Sequence, residues 1–314
     1  MTRHVPPPAG HAAPAPVPQR VPASPPAAKL RVWVMSDLRV DLAPLRLPDP
    51  LPAFDVLLVA GNVSNDLGSS LSWLADNLAG RQGERPVVLV PGNAEFWNGR
   101  GKADTLRESR ILASRLGITL LSDEAVRIPD AGGTGVQVLG STLWTDWGIE
   151  GRDRATLARG YARRFHPDCR RIRLGPRTRY LPHDAAGAHA RSRAFIEDAL
   201  VSIKVQSGSF GTSPVALVHG TRPGDRAIVL THHAPSRRSL APRPPHGLPV
   251  DWGAAAQASD LEHRMTARGA PVLGVHGHVP RPVDLRIGRT RVVANPRGRR
   301  GDLEAFHPAL VLET

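Results

Sequence analysis

Three apolar runs, each closing on a polar corner, constrain this chain more than any other feature. "LRVWVMSDL" (30–38) ends at Ser-Asp, "FDVLLVAGN" (54–62) at Gly-Asn and "RPVVLVPGN" (85–93) again at Gly-Asn. Apolar, β-branched runs without alternation belong to strands covered on both faces. Between the last two runs, "SSLSWLADNLAG" places Leu71, Leu74, Ala75 and Leu78 at helical spacing, with a serine as cap and Gly80 as stop. "DTLRESRILASRLG" (104–117) reads as a second amphipathic helix. Strands alternating with helices predict an α/β protein with a buried sheet. In open α/β sheets, ligands gather at the carboxyl ends of the strands, where all three corners sit.

The second half adds more strands. "EAVRIPDAGGTGVQVLGSTLW" (124–144) reads as a hairpin around "AGGTG". Residues 150–193 are Arg-rich and weakly periodic, which predicts an excursion over the surface. "HARSRAFIEDALVSIKV" (189–205) is helical. "RAIVLTHHAPS" (226–236), "APVLGVHGHVP" (270–280) and "RTRVVANPRG" (289–298) read as strands, and the first two end in histidine-rich corners. "HPALVLET" is a closing strand.

With 314 residues, 41% of them hydrophobic, the chain can bury a sizeable core. The Pro- and Ala-rich residues 1–28 cannot, and are expected to form a disordered tail ahead of a domain over 29–314. No apolar run approaches the ~18–20 residues of a membrane span. The start has no apolar h-region. Cys169 is the only cysteine, which excludes an intrachain disulfide and disfavours a cysteine-based zinc site. The expectation is a cytoplasmic protein with no membrane partner.

Five strand ends thus carry Asp37, Asn62, Asn93, His232 and His278. Carboxylate, amide oxygen and imidazole are ligands of borderline divalent metals. Their order resembles that of the calcineurin-like metallophosphoesterases, whose pattern is Asp-x-His, Gly-Asp, Gly-Asn-His-Glu, a His before a Pro, and Gly-His-x-His. The matching stretches are "SDLR", "AGN", "PGNAE", "THHAP" and "HGHVP". "GSTLWTDW", "RSRAFIEDAL" and "RIGRTRVVANPRG" are also similar to bacterial members, and the resemblance runs over about residues 29–312. It implies a four-layer α/β/β/α sandwich of two mixed sheets flanked by helices, with a dinuclear metal centre between the sheet edges.

Four departures weigh against that centre. By the resemblance, Arg39 stands where the first metal expects a histidine, Asn62 where a bridging aspartate belongs, Ala94 at the histidine that assists chemistry at the phosphate, and Pro280 at the last histidine. Asp37 alone survives among the first metal's ligands. Asn93, His232 and His278 survive for the second. A guanidinium cannot shed its proton, and at ~4 Å it repels an ion by a few kcal/mol even at an effective dielectric of about 20. The expectation is therefore no first metal, with Arg39 standing in for it paired to Asp37. At most one divalent ion (Mn, Zn or Fe) is expected, held weakly by Asn62, Asn93, His232 and His278, or none. Asp41 and Asp66 read as solvated loop carboxylates.

The expected function is a degenerate phosphoesterase with weak or absent hydrolysis, in which Arg39, with His232, binds the phosphate of a small molecule or phosphodiester. One alternative is an active metal-dependent hydrolase with a mononuclear site. Another starts from the net charge of +13: a nucleic-acid or acidic-partner binder using the arginines between Arg152 and Arg193. Against it, only Lys29, Lys102 and Lys204 are lysines and aromatic residues make up 4%, so stacking platforms are scarce. A solvated basic surface is the expected reading of that run.

Overall fold

The computed structural model describes Met1 and residues 29–130, 132–208, 217–242, 252–298 and 306–314. All of the expected tail 1–28 but Met1, and Ala131 of the expected hairpin turn, lie outside them.

Two sheets pack face to face. The first has the spatial order β13 (Val311–Glu313), β1 (Arg31–Met35), β2 (Val56–Val59), β3 (Val87–Leu89) and β4 (Ile118–Leu120). Its strands are parallel except β13 at the edge. The second runs β11 (Val283–Ile287), β12 (Thr290–Ala294), β10 (Leu273–His276), β9 (Arg226–Thr231), β6 (Gly135–Ser141) and β5 (Glu124–Pro129). Its two edge strands are antiparallel to their neighbours and its centre is parallel.

The pleat explains the uniformly apolar runs. Val32, Val34, Val56, Leu58 and Val88 point between the sheets, against Val136, Val138, Ile228, Leu230 and Val275. The intervening Trp33, Met35, Leu57, Val59 and Leu89 point outward, onto Leu67, Leu71, Leu74 and Leu78 of α1 (Leu67–Leu78) and Ala113 of α2 (Lys102–Arg115). The far face of the second sheet is covered by α5 (Pro182–Ser207), whose Ile196, Ala199 and Ile203 meet Leu139, Ala227 and Val229. Each fully buried Val, Leu, Ile or Met among them stabilises the fold by roughly 1.5–3 kcal/mol. The result is the four-layer α/β/β/α arrangement of two mixed sheets flanked by helices.

Three local readings change. The cap of α1 is Asp66, which accepts from the Ser69 backbone N–H at 2.8 Å and from Asn98 Nδ2 at 2.8 Å, so Asp66 is a structural cap and not a solvated carboxylate. Strand β11 was not foreseen, because Pro280 and Pro282 directly precede this short edge strand and read as turn breakers. The stretch 150–193 holds α3 (Ala155–Phe165), the short α4 (Asp168–Arg171), a hairpin of β7 (Arg173–Gly175) and β8 (Thr178–Arg179), and the start of α5, which begins at Pro182 and not at 189. Helix α3 was hard to see because the face it buries is alanine: Ala155, Ala158 and Ala162 pack with Trp144, Trp147 and Tyr180.

Candidate functional site

The carboxyl ends of β1, β2 and β3 meet those of β9 and β10 across the sandwich. The corners are bent tightly: Asp37, Arg39, Asn62 and His278 all have positive φ, at 50°, 46°, 57° and 65°. A side chain in this region carries strain of order 1 kcal/mol or more, of the kind functional sites hold. Two glycines let the corners touch. A Cβ on Gly92 would overlap the Asn62 amide, and one on Gly277 would collide with Asp37 Oδ2 and the Ala60 carbonyl.

Asn62 is the hub. Its Nδ2 donates to Asp37 Oδ1 at 2.9 Å and to Asn93 Oδ1 at 3.1 Å, and its Oδ1 accepts from the Ala94 backbone N–H at 2.8 Å. The network is held from below by Glu95, which accepts from the backbone N–H groups of Asn62, Val63 and Gly92 at 2.7–2.8 Å and from the Ser70 hydroxyl at 3.1 Å. Burial pushes the Glu95 carboxyl up to about 7, against the pull of these donors. Asp37 also accepts the His278 backbone N–H at 2.9 Å, and burial raises its pKa above the ordinary carboxylate value despite the nearby His278.

The histidines are neutral. Burial lowers His232 and His278 each to about 3. His232 Nδ1 lies 2.7 Å from the Ala60 carbonyl, so its proton sits there and Nε2 is an acceptor. His278 Nδ1, at 3.1 Å, then donates to that Nε2. Asn93 Oδ1 lies 3.0 Å from the same Nε2. Its amide orientation is set by Asn93 Nδ2 donating to Asp168 Oδ1 at 2.8 Å, so two lone pairs face each other.

These atoms decide how well metal fits. A dinuclear centre does not: the Asn62 amide nitrogen donates to the oxygens of Asp37 and Asn93 that a bridged pair of ions would use, and Asp37 is the one carboxylate of the set. Among the described residues, no three His, Cys, Asp or Glu side chains converge as a metal cluster. A single ion matches better the convergence of Asn93 Oδ1, His232 Nε2 and His278 Nδ1, all neutral donors; Asn62 turns its donor group, not its oxygen, toward them.

Arg39 pairs with Asp41, not with Asp37. Its Nε and Nη2 reach the two carboxylate oxygens of Asp41 at 3.0 and 2.6 Å, and both side chains are about one-tenth exposed. Asp41 is therefore no solvated loop carboxylate. The guanidinium lies over Trp97, 5.3 Å from the ring centroid. Ala94 is fully buried. Nearby, His233 stacks on His278 with ring centroids 4.1 Å apart, and His276 Nε2 lies 2.9 Å from the Ser239 hydroxyl.

Asp37, Arg39, Asn62, Asn93 and His278 line a cleft of about 430 Å³ together with Trp97, His166, Gln257 and Pro280. His232 lies behind it, fully buried with its N–H spent on Ala60. That geometry removes it from the expected phosphate contact. Sequence reasoning missed His166 and Asp168, which the excursion delivers. Asp168 Oδ1 accepts from Asn93 Nδ2 and Trp97 Nε1, each at 2.8 Å, and its Oδ2 lies 3.5 Å from His166 Nδ1. His166 Nδ1 also accepts the Asp168 backbone N–H at 3.4 Å, which leaves its Nε2–H without a partner among the described residues. The one available signal was a histidine and an aspartate two apart in an otherwise arginine-rich run.

No family model and no curated protein matches the chain. Solved structures do. A phosphopantetheinyl hydrolase of Mycobacterium tuberculosis superimposes with a TM-score of 0.62 at 18% identity, over 91% of this chain and 96% of that one. A putative 5'-nucleotidase of Staphylococcus aureus matches at a TM-score of 0.43 and 12% identity, over 86% of this chain and 49% of that one. The first likeness shows a phosphoesterase-like fold.

Proposed function

We propose that the cleft of this phosphoesterase-like chain binds the phosphoryl group of a phosphate-containing small molecule or phosphodiester, with hydrolysis weak or absent. The observation that carries the reading is the Asn62 amide, hydrogen-bonded to both Asp37 Oδ1 and Asn93 Oδ1. It knits the corners together without metal. The donors left to an anion are Arg39 Nη1, His166 Nε2–H and the Gln257 amide, none of which has a partner among the described residues. A guanidinium held by Asp41 and Trp97 is pre-aimed, so little rotamer freedom is lost on binding. At Ala94 a methyl group can neither donate a proton nor stabilise a leaving oxygen.

A second reading keeps one divalent ion and some hydrolysis. It is favoured by the facing lone pairs of Asn93 Oδ1 and His232 Nε2 at 3.0 Å, which a shared cation would relieve. Asn93, His232 and His278 would hold that ion, His278 moving its proton to Nε2. Bound there, Mn, Zn or Fe would polarise a phosphoryl oxygen as a Lewis acid.

Calorimetric titration with inorganic phosphate, beside elemental analysis and a generic aryl phosphodiester assay, tests the proposal. Phosphate binding that is lost in Arg39→Ala, with turnover near background in added manganese, is expected. A metal-dependent kcat of order 1 s⁻¹ or more would replace the first reading with the second. Two full equivalents of metal would overturn the fit argument itself.

A further inference from the structure

We infer that the segment 152–179 is a landing strip for single-stranded nucleic acid, leading a phosphodiester backbone to the cleft; this names the substrate class of the site proposed above and rests on that reading.

The strip is distinguished by its arginines. Eleven arginines elsewhere hold a carboxylate, Arg31, Arg100, Arg127 and Arg264 among them. Within 152–179 there are ten (Arg152 and Arg154 through Arg177 and Arg179), and among the described residues none forms an ion pair with a carboxylate. Eight of the ten are exposed and two half-buried. Unpaired guanidinium groups also occur singly or in twos over the rest of the surface, so it is their density that sets this segment apart. Here ten of the 22 described arginines without a carboxylate partner fall within 28 consecutive residues, where ten arginines against Asp153 and Asp168 leave +8 of the chain's +13. Asp168 is buried and turned toward Asn93 and Trp97, so it screens the strip little. Unpaired positive charge on this scale attracts a polyanion and releases its counterions.

Rings supply the second half of the argument. Tyr161 and Phe165, one helical turn apart on α3, are 42% and 51% exposed, with centroids 4.9 Å apart. Arg164 lies over Phe165 at 5.4 Å. Exposed aromatic faces beside guanidinium groups stack unpaired bases, whose faces a duplex hides. The strip also leads somewhere. Directly after Phe165 come His166 and Pro167, which line the cleft. Arg171 lies over Trp97 at 4.7 Å, on a ring that also carries Arg39 and lines the same cleft. A strand held by Arg163, Arg164 and Arg170 therefore meets the phosphoryl site without leaving the segment.

Fluorescence anisotropy with a labelled 15-nucleotide single strand, across about 50–250 mM NaCl, tests this. Micromolar binding is expected at the low end, with a log–log salt slope of roughly −3, the value for about four phosphate contacts on a single strand. The variant Arg163→Glu/Arg164→Glu/Arg170→Glu, all exposed positions, should weaken binding more than about tenfold and flatten that slope. Tyr161→Ser/Phe165→Ser should weaken the single strand several-fold and leave a duplex of the same length unaffected. A slope shallower than about −1, or a triple variant that binds like the parent, overturns the inference. So does tighter binding to vesicles of phosphatidylglycerol and phosphatidylcholine that is lost in Leu157→Ser, which would give the strip to a lipid surface. Inorganic phosphate reads the cleft separately: no phosphate binding with strand binding intact overturns the phosphoryl-site reading and leaves the strip assigned.

Discussion

Asn62 and Asp37 face each other as amide donor and carboxylate acceptor, 2.9 Å apart in a buried pocket. A bridging aspartate in place of Asn62 would set two carboxylates at that distance, tolerable only with a cation or a shared proton between them. Asn62→Asp should therefore destabilise the metal-free protein by about 1–3 kcal/mol, through a lost hydrogen bond and a like-charge contact. Urea unfolding in EDTA measures it. The loss should shrink when manganese or zinc is added. Equal stability of variant and parent in EDTA would mean that the amide is not the hub.

The Arg39–Asp41 pair supports a second test. Both side chains are about nine-tenths buried, so removing either leaves a charge without its partner. Arg39→Ala or Asp41→Ala alone should lose about 3–5 kcal/mol, while the double variant should lose clearly less than the two together. A thermal-unfolding double-mutant cycle checks this. Additive losses would place the two side chains apart.

Acid should unfold the chain through histidines that are not candidate ligands. Burial lowers His189, takes His233 well below its ordinary value and holds His276 to about 4. A histidine depressed in the folded state contributes its full stability above the unfolded value of about 6.5. As pH falls below that value the unfolded chain takes up the protons, so stability drops toward the folded-state values. Three such groups give a slope of up to about 4 kcal/mol per pH unit just below pH 6, and Glu95, raised to about 7 and therefore stabilising as it takes up its proton, offsets about one group's share of it. Unfolding midpoints between pH 8 and 5, with EDTA present, should stay level above about pH 7 and fall steeply beneath it. A flat profile would mean that these rings are solvated.

Restoration separates ligands from scaffold. Arg39→His, Asn62→Asp and Pro280→His together should raise metal content by an equivalent or more, where single changes do little, because ligands of one site act as a unit. Turnover also needs a proton donor. Ala94 is fully buried and its N–H is tied to Asn62, so Ala94→His must push into packed surroundings at a cost of about 1–3 kcal/mol. Elemental analysis and an aryl phosphodiester assay on the triple and quadruple variants read the two effects apart. A folded triple variant with no gain in metal would show that the corners no longer sit at ligand spacing.

The residue pattern alone indicated a covered sheet and its polar corners, while the four layers were what the family resemblance implied. The apolar runs at 30–38, 54–62 and 85–93 can be buried only in a covered sheet, and their turn residues necessarily emerge at one end of it, so Asp37, Asn62 and Asn93 were readable as neighbours. His232 and His278 followed from the same rule applied to β9 and β10. Tertiary structure decided everything that depends on direction at those corners. Positive φ at Asp37 and Arg39 swings Arg39 toward Asp41 and Trp97, where the alternation of an extended strand would have put it beside Asp37. The proton on His232 Nδ1 turns a nominal phosphate contact into a buried acceptor. His166 and Asp168 reach the cleft from a segment whose buried face is alanine, too weak a pattern to read as a packed helix. Periodicity reports which face of an element is covered; where a side chain at a loop corner points is set by a few backbone angles and by the partners that the rest of the fold brings to it.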